Sequence, residues 1–168
     1  NRLQVIFMLD AVSPELYGKI KPGGDFNKAV SNVKYYLEKD PKNLARSFLQ
    51  IVKMKETLHE IDRFFGSWES TTKNLILQKY NSFAGQLEDK KVADLTPLER
   101  IPCWHLQRDL VVFHNGDVPL CKQDFSGKKI MGNLKNQSVA QVWDKFLDIY
   151  KLDYSGIYTG SQFCPSCD

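Results

Sequence analysis

The sequence has no run of apolar residues long enough to span a membrane. Its hydrophobic stretches are broken by Lys, Asp or Gly well short of the roughly 18 residues a span requires. It has no large excess of one charge either. A net charge of +3, with 23 Lys and Arg set evenly among 20 Asp and Glu, leaves no basic stripe, so neither DNA nor RNA is expected as a partner. A phosphate-cradling G-x-x-x-x-G-K-[ST] loop is absent, since Pro22-Gly23-Gly24 lacks that form. The three histidines, His59, His105 and His114, show no spacing of a metal triad. There is no initiator Met and no basic leader before the strand pattern that begins at Asn1, so the chain is expected to be a piece of a larger protein. What is left is a 168-residue chain within the globular range, 42% hydrophobic and 26% charged, able to bury a core and carrying four cysteines.

The first half alternates strand and helix signals. Leu3 to Leu9 is apolar after Gln4, which suits a strand buried on both faces of a parallel sheet. Ser13-Pro14-Glu15 offers an N-cap, a proline for the first helical position and an acid for the first turn. From Asp25, the residues Phe26, Ala29, Val30, Val33, Tyr36 and Leu37 follow a helical period that Asp40-Pro41 closes. Ser47 to Met54 reads as a second strand. Thr57-x-x-Glu60 reads as a capping box for a helix with Leu58, Ile61, Phe64, Phe65 and Trp68 on its apolar face. Asn74 to Tyr80 is a third strand. Strands alternating with such helices predict βαβ crossovers and an α/β fold with a parallel sheet, part of a larger sheet or barrel.

Residues 84–100 are charged and punctuated by Gly85 and Pro97, and read as a linker or surface excursion. Beyond them, Leu110 to His114 and Val118 to Lys122 flank Asn115-Gly116, which predicts a β-hairpin. A last helix starts at Ser138 with Gln141 completing a capping box, and carries Val139, Val142, Trp143, Phe146, Leu147 and Tyr150 on one face. A loop holding Gly156 and Gly160 then delivers Cys164-Pro165-Ser166-Cys167.

All four cysteines, Cys103, Cys121, Cys164 and Cys167, fall in this second part, where one hairpin and one helix supply too little core to be stable unaided. Two separated thiols plus a C-x-x-C pair are a standard ligand supply for tetrahedral zinc or for a cubane iron–sulfur cluster, and such pairs also occur as disulfides or free thiols. Ligand count does not separate these. His105, two residues after Cys103, is not needed as a ligand where four cysteines close the site.

The residues around the thiols form a pattern: Cys103, then Gly116-x4-Cys121, Asp124, Gly132-Asn133, Val142-Trp143, and Cys164-x2-Cys167. This resembles the SPASM and twitch domains that follow the catalytic barrel of radical S-adenosylmethionine enzymes. "VIFMLDAVSPELYGKI" looks like the fourth strand of that barrel with its continuation, and "LQIVKMKETLHEIDRFFGSW" like the fifth strand and helix. The resemblance implies a partial (β/α) barrel of about three βα units over residues 1–83, a linker over 84–100, and a SPASM/twitch domain of β-hairpin plus helix over 101–168. Two departures accompany it. Met8 stands where the family commonly has a small hydroxyl residue near the nucleoside, and the C-x3-C-x2-C loop that binds the cluster reducing S-adenosylmethionine lies nowhere in this chain.

The resemblance further implies that Cys103, Cys121, Cys164 and Cys167 hold one auxiliary [4Fe–4S] cluster serving electron transfer, with four cysteines rather than the seven of a full SPASM domain. S-adenosylmethionine and a second [4Fe–4S] cluster belong to a full-length parent, an oxidoreductase or peptide-modifying enzyme. Its partners would be a peptide or small-molecule substrate and a reductant such as flavodoxin or ferredoxin, in the cytoplasm and off the membrane; this chain alone is not expected to be active. Asp10, at the carboxyl end of the first strand, would lie near the nucleoside, with a loop cap as the plainer role. Asp124 is a candidate acid–base group beside the cluster, with turn formation the plainer role. Trp104 and Trp143 are expected in the core of the small domain. The other class of function is a non-catalytic binding module whose cysteines hold structural zinc.

Overall fold

Three apolar segments, β1 (Val5–Met8), β2 (Ser47–Lys53) and β3 (Leu75–Lys79), pair in parallel in the order β1-β2-β3. They are seen in a computed structural model that describes residues 3–93, 99, 101–158, 164 and 167. The chain divides into two compact units, Asn1–Tyr80 with Lys90–Ala93, and Asn81–Asp89 with Asp94–Asp168. No helix among the described residues is long and apolar enough to cross a membrane.

In the first unit the helices α1 (Pro14–Ile20), α2 (Phe26–Lys39), α3 (Pro41–Arg46) and α4 (Ile61–Trp68) connect the strands. Leu49 and Ile51 on β2 are wholly buried against Val33 and Leu37 of α2 and Phe64 and Trp68 of α4. Each such side chain contributes about 1.5–3 kcal/mol by leaving water. The opposite sheet face differs from expectation. Ile6 and Met8 are 51% and 55% exposed, so β1 is buried on one face only.

Local chemistry explains the helix starts. Ser13 caps α1 by accepting from the Leu16 N–H, and Asp25 caps α2 by accepting from the Lys28 N–H at 3.0 Å. Asp40-Pro41 closes α2 as expected and also opens α3, with Asp40 accepting from the Lys42 N–H at 2.8 Å and Pro41 at the first position. The capping box at Thr57 does not form. Thr57 has helical φ and ψ and makes no cap bond, because its hydroxyl is turned back onto the end of β2, bonding Val52 and Met54. Leu58–Glu60 is a 3-10 turn ahead of α4, and the Glu60 carboxylate reaches back to the loop after β1.

The second unit contains β4 (Asp117–Pro119), β5 (Ile130–Asn133), α5 (His105–Arg108) and α6 (Val139–Tyr154). The Asn115-Gly116 turn forms, with Gly116 at φ +87, but the hairpin is not the expected one. β4 pairs antiparallel with β5, not with 110–114. The Phe113 N–H reaches the Asp117 carbonyl at 2.8 Å, and the next rung on that side would need an N–H from Pro119, which has none.

A core of Leu106, Val118, Leu120, Met131, Val142 and Phe146 fills this unit. The Ser138–Gln141 capping box opens α6 as expected, and the buried stripe runs through Val142 and Phe146, whereas Val139 is exposed. Trp104, expected in the core, is 45% exposed, its ring stacked on His105 and under the Arg108 guanidinium.

At Gly132 an added Cβ would stand 2.8 Å from Val142 Cγ2 and 2.5 Å from Gln137 Oε1, so the missing side chain is what lets α6 lie against β5. Val142 is β-branched, wholly buried and cannot step aside. Gly132→Ala is therefore expected to destabilise the second unit by about 1–3 kcal/mol through overpacking, read from thermal or denaturant unfolding.

Candidate metal centre

The four cysteines come from three segments of the chain, and all four are half-buried. Cys103 precedes α5, whose Leu106 N–H bonds the Cys103 carbonyl at 3.2 Å. Its own N–H donates to Asp153 Oδ2 at 2.6 Å, across 50 residues. Cys121 follows β4 at the start of a loop that returns to β5. Asp124 builds that loop: its N–H donates to the Cys121 carbonyl, and its two carboxylate oxygens accept from the N–H groups of Lys128 at 2.9 Å and Lys129 at 2.7 Å. Asp124 is 1% exposed with both oxygens engaged, the contacts of a turn-forming residue. At the C-terminal end, the Cys167 N–H bonds the Cys164 carbonyl at 3.3 Å. The Gly160 part of the loop before Cys164, and residues 94–98 and 100 of the expected linker, lie outside the described residues.

Cys103 and Cys164 both border the core of the second unit. Burial pushes the Cys121 thiol up, backbone N–H groups of Gln123 and Asp124 pull it back, and the neighbouring Cys164 and Cys103 add to the rise. Among the described residues no three His, Cys, Asp or Glu side chains stand close enough to share a metal ion. The donor set fits a thiophilic centre all the same: soft sulfur ligands from three segments, and N–H groups aimed at a sulfur, as metal-bound thiolates favour.

His105 is already committed, its Nδ1 bonded to Asp109. Hydrogen bonds from Arg108 and then from His105 hold the Asp109 carboxyl well below the usual carboxylate range. His59 and His114 are exposed.

Within the second unit, residues 81–89, of which 84–89 were expected as linker, pack on the Cys121 loop. The Gln86 amide donates to the Gln123 carbonyl at 2.5 Å and accepts from Ser126 Oγ at 2.8 Å, and Phe83 meets Phe125 edge-to-face at 5.2 Å. Neither Gln86 nor Asp153 stood out as functional in the sequence. Asp153 had a signal: it continues the inward stripe of Val142, Phe146 and Ile149, where an apolar residue belongs.

In the first unit Asp10 sits at the carboxyl end of β1 with φ +60, 5% exposed. It accepts from Lys21 Nζ at 3.0 Å and from the Val52 N–H at 3.1 Å, so it ties the loop after β1 to β2.

Residues 103–168 match SPASM, an iron–sulfur cluster-binding domain. That SPASM-like segment begins at Cys103 and takes in all four cysteines. An uncharacterized protein of Treponema pallidum (strain Nichols) is 35% identical over 172 residues, covering 97% of this chain and 46% of its own length. The chain therefore spans about half the length of the relative it matches. No solved structure matches the chain.

Proposed function

We propose that the chain is a piece of a radical S-adenosylmethionine oxidoreductase or peptide-modifying enzyme, and that its SPASM-like segment holds one auxiliary [4Fe–4S] cluster on Cys103, Cys121, Cys164 and Cys167. The observation that carries this reading is the match of residues 103–168 to an iron–sulfur cluster-binding domain, a segment that takes in all four cysteines; Cys103 and Cys164 bordering one core supports it. A cluster bound there supplies one-electron transfer. The chain's part is to furnish four thiolates, so that no iron is left open to a substrate, and to aim the Gln123 and Asp124 N–H groups at the Cys121 sulfur, which tunes its donor strength.

The parallel sheet of the first unit is read as the later strands of a (β/α) barrel, with Asp10 on the carboxyl edge where such barrels place their functional groups. S-adenosylmethionine and its reducing cluster would then be held by other parts of a longer protein, working in the cytoplasm on a peptide or small molecule with a flavodoxin or ferredoxin as reductant.

Protein purified without oxygen is expected to carry about four irons and four sulfides per chain, with a broad visible sulfur-to-iron charge-transfer band. One zinc and no iron in the same preparation would leave a structural four-cysteine site and remove the electron-transfer role.

A further inference from the structure

Asp153 is a buried carboxylate in an unfavourable place. It is 3% exposed and lies in the last turn of α6, where the helix's own carbonyl dipoles disfavour a negative charge. It occupies an inward position in phase with Val142 and Phe146, and among the described residues no Lys, Arg or His pairs with it. Burying a carboxylate without a cation costs several kcal/mol unless hydrogen bonds compensate. The bond it makes is to the N–H of Cys103, at 2.6 Å. Ten residues after Asp153 the chain reaches Phe163, and Cys164 follows.

We infer that Asp153 is a positioning residue for the thiolate centre: its carboxylate fixes the backbone of Cys103 to the end of the helix from which the chain runs on to Cys164 and Cys167. One hydrogen bond thus ties the first thiol's backbone to the helix that precedes the last two in sequence. The inference rests on the reading of the four cysteines as one metal or cluster site, and adds to it a residue with no sulfur and no direct contact with the bound group.

The test is an anaerobic titration of the whole chain with Co(II), followed by its thiolate charge-transfer and d–d absorption, for the wild type, Asp153→Ala, Asp153→Asn and Asp148→Ala. Asp148 is the control, an acid on the same helix with a side chain 79% exposed and ion-paired to Lys151. Asp153→Ala is expected to weaken Co(II) binding by about 10–100-fold, the usual loss when a group orienting a ligand is removed. Asp153→Asn keeps an oxygen acceptor and the shape, and should restore most of that loss, while Asp148→Ala should bind as the wild type does. Hydrogen exchange at the Cys103 amide gives a second readout, slow in the wild type and Asp153→Asn, fast in Asp153→Ala. Should the Ala variant fail to fold, the Asn variant still decides, since both its Co(II) affinity and its Cys103 protection must stay near wild type. The inference is overturned if Asp153→Ala binds Co(II) as tightly as the wild type, or if Asp153→Asn binds as weakly as Asp153→Ala. A wild-type chain that takes up no Co(II) would overturn the four-thiolate reading itself, and the role of Asp153 with it.

Discussion

Cys121→Ser is expected to strip the chain of nearly all bound iron and to lower the unfolding temperature of the second unit while leaving the first unit's transition in place. Cys121 is one of the four proposed ligands and the one that follows β4, in the core of the second unit's fold. Serine is nearly the same size, but its hydroxyl stays protonated at neutral pH and offers a hard oxygen where iron and zinc in such sites take soft thiolate. The structural cost follows from the size of the core: six buried side chains, from Leu106 to Phe146, leave little surplus stability to a unit of this length without a covalent or metal staple. Metal binding energy in small domains is largely folding energy, on the order of 10 kcal/mol for structural zinc. Iron content per chain and calorimetric melting, with and without chelator, read the two effects. Retention of full iron by Cys121→Ser would remove Cys121 from the ligand set.

The second large effect is expected at Glu60. This residue is 1% exposed, and it accepts from the Val12 N–H at 2.7 Å and from the Ser13 hydroxyl, with Arg63 at 3.9 Å. Glu60→Ala leaves those two donors without an acceptor, at about 1–3 kcal/mol each, so a loss of about 2–6 kcal/mol is expected in denaturant unfolding of the first unit. The pH dependence has a definite sign. Burial pushes the Glu60 carboxyl up, but the hydrogen bonds from Ser13 and Val12 together with Arg63 outweigh it, and the net shift is downward. A carboxyl lowered in the folded state contributes stability that is present above its unfolded pKa of about 4.3 and is lost as pH falls through the folded value. The stability gap between wild type and Glu60→Gln should therefore be constant near neutrality and shrink below about pH 4. A gap that widens with acid would contradict this assignment.

Glu60 also shows what a sequence conceals. Thr57-x-x-Glu60 has the spacing of a capping box, and spacing alone offers that local bond; the fold instead gives Thr57 to the end of β2 and Glu60 to a loop 47 residues earlier. Periodic patterns were legible because burial enforces them: the three strands, the caps at Ser13, Asp25 and Ser138, and the parallel pairing are all found where residue types put them. Short elements without periodicity, α3 and α5, carried no such signal. The hairpin partner was misread because Asn115-Gly116 announces a turn but not which strand continues the ladder, and Pro119 decides against the nearer one. For the centre, the cysteines were visible by spacing, while Asp153 and Gln86 were not, because long-range hydrogen bonds leave no periodic trace.

The close approach at Gly132 reaches further than its own contact. α6 meets β5 where Val142 lies on Gly132, and it carries Asp153 eleven residues further along, about 16 Å away at the rise of an α-helix. Between the two points Phe146 holds the helix in the core and Lys145 bonds the Met131 carbonyl, and its far end holds the backbone of Cys103. The bare backbone at position 132 thus seats the same helix whose last turn holds the first thiol's backbone, although no sulfur, carboxylate or charge is found there.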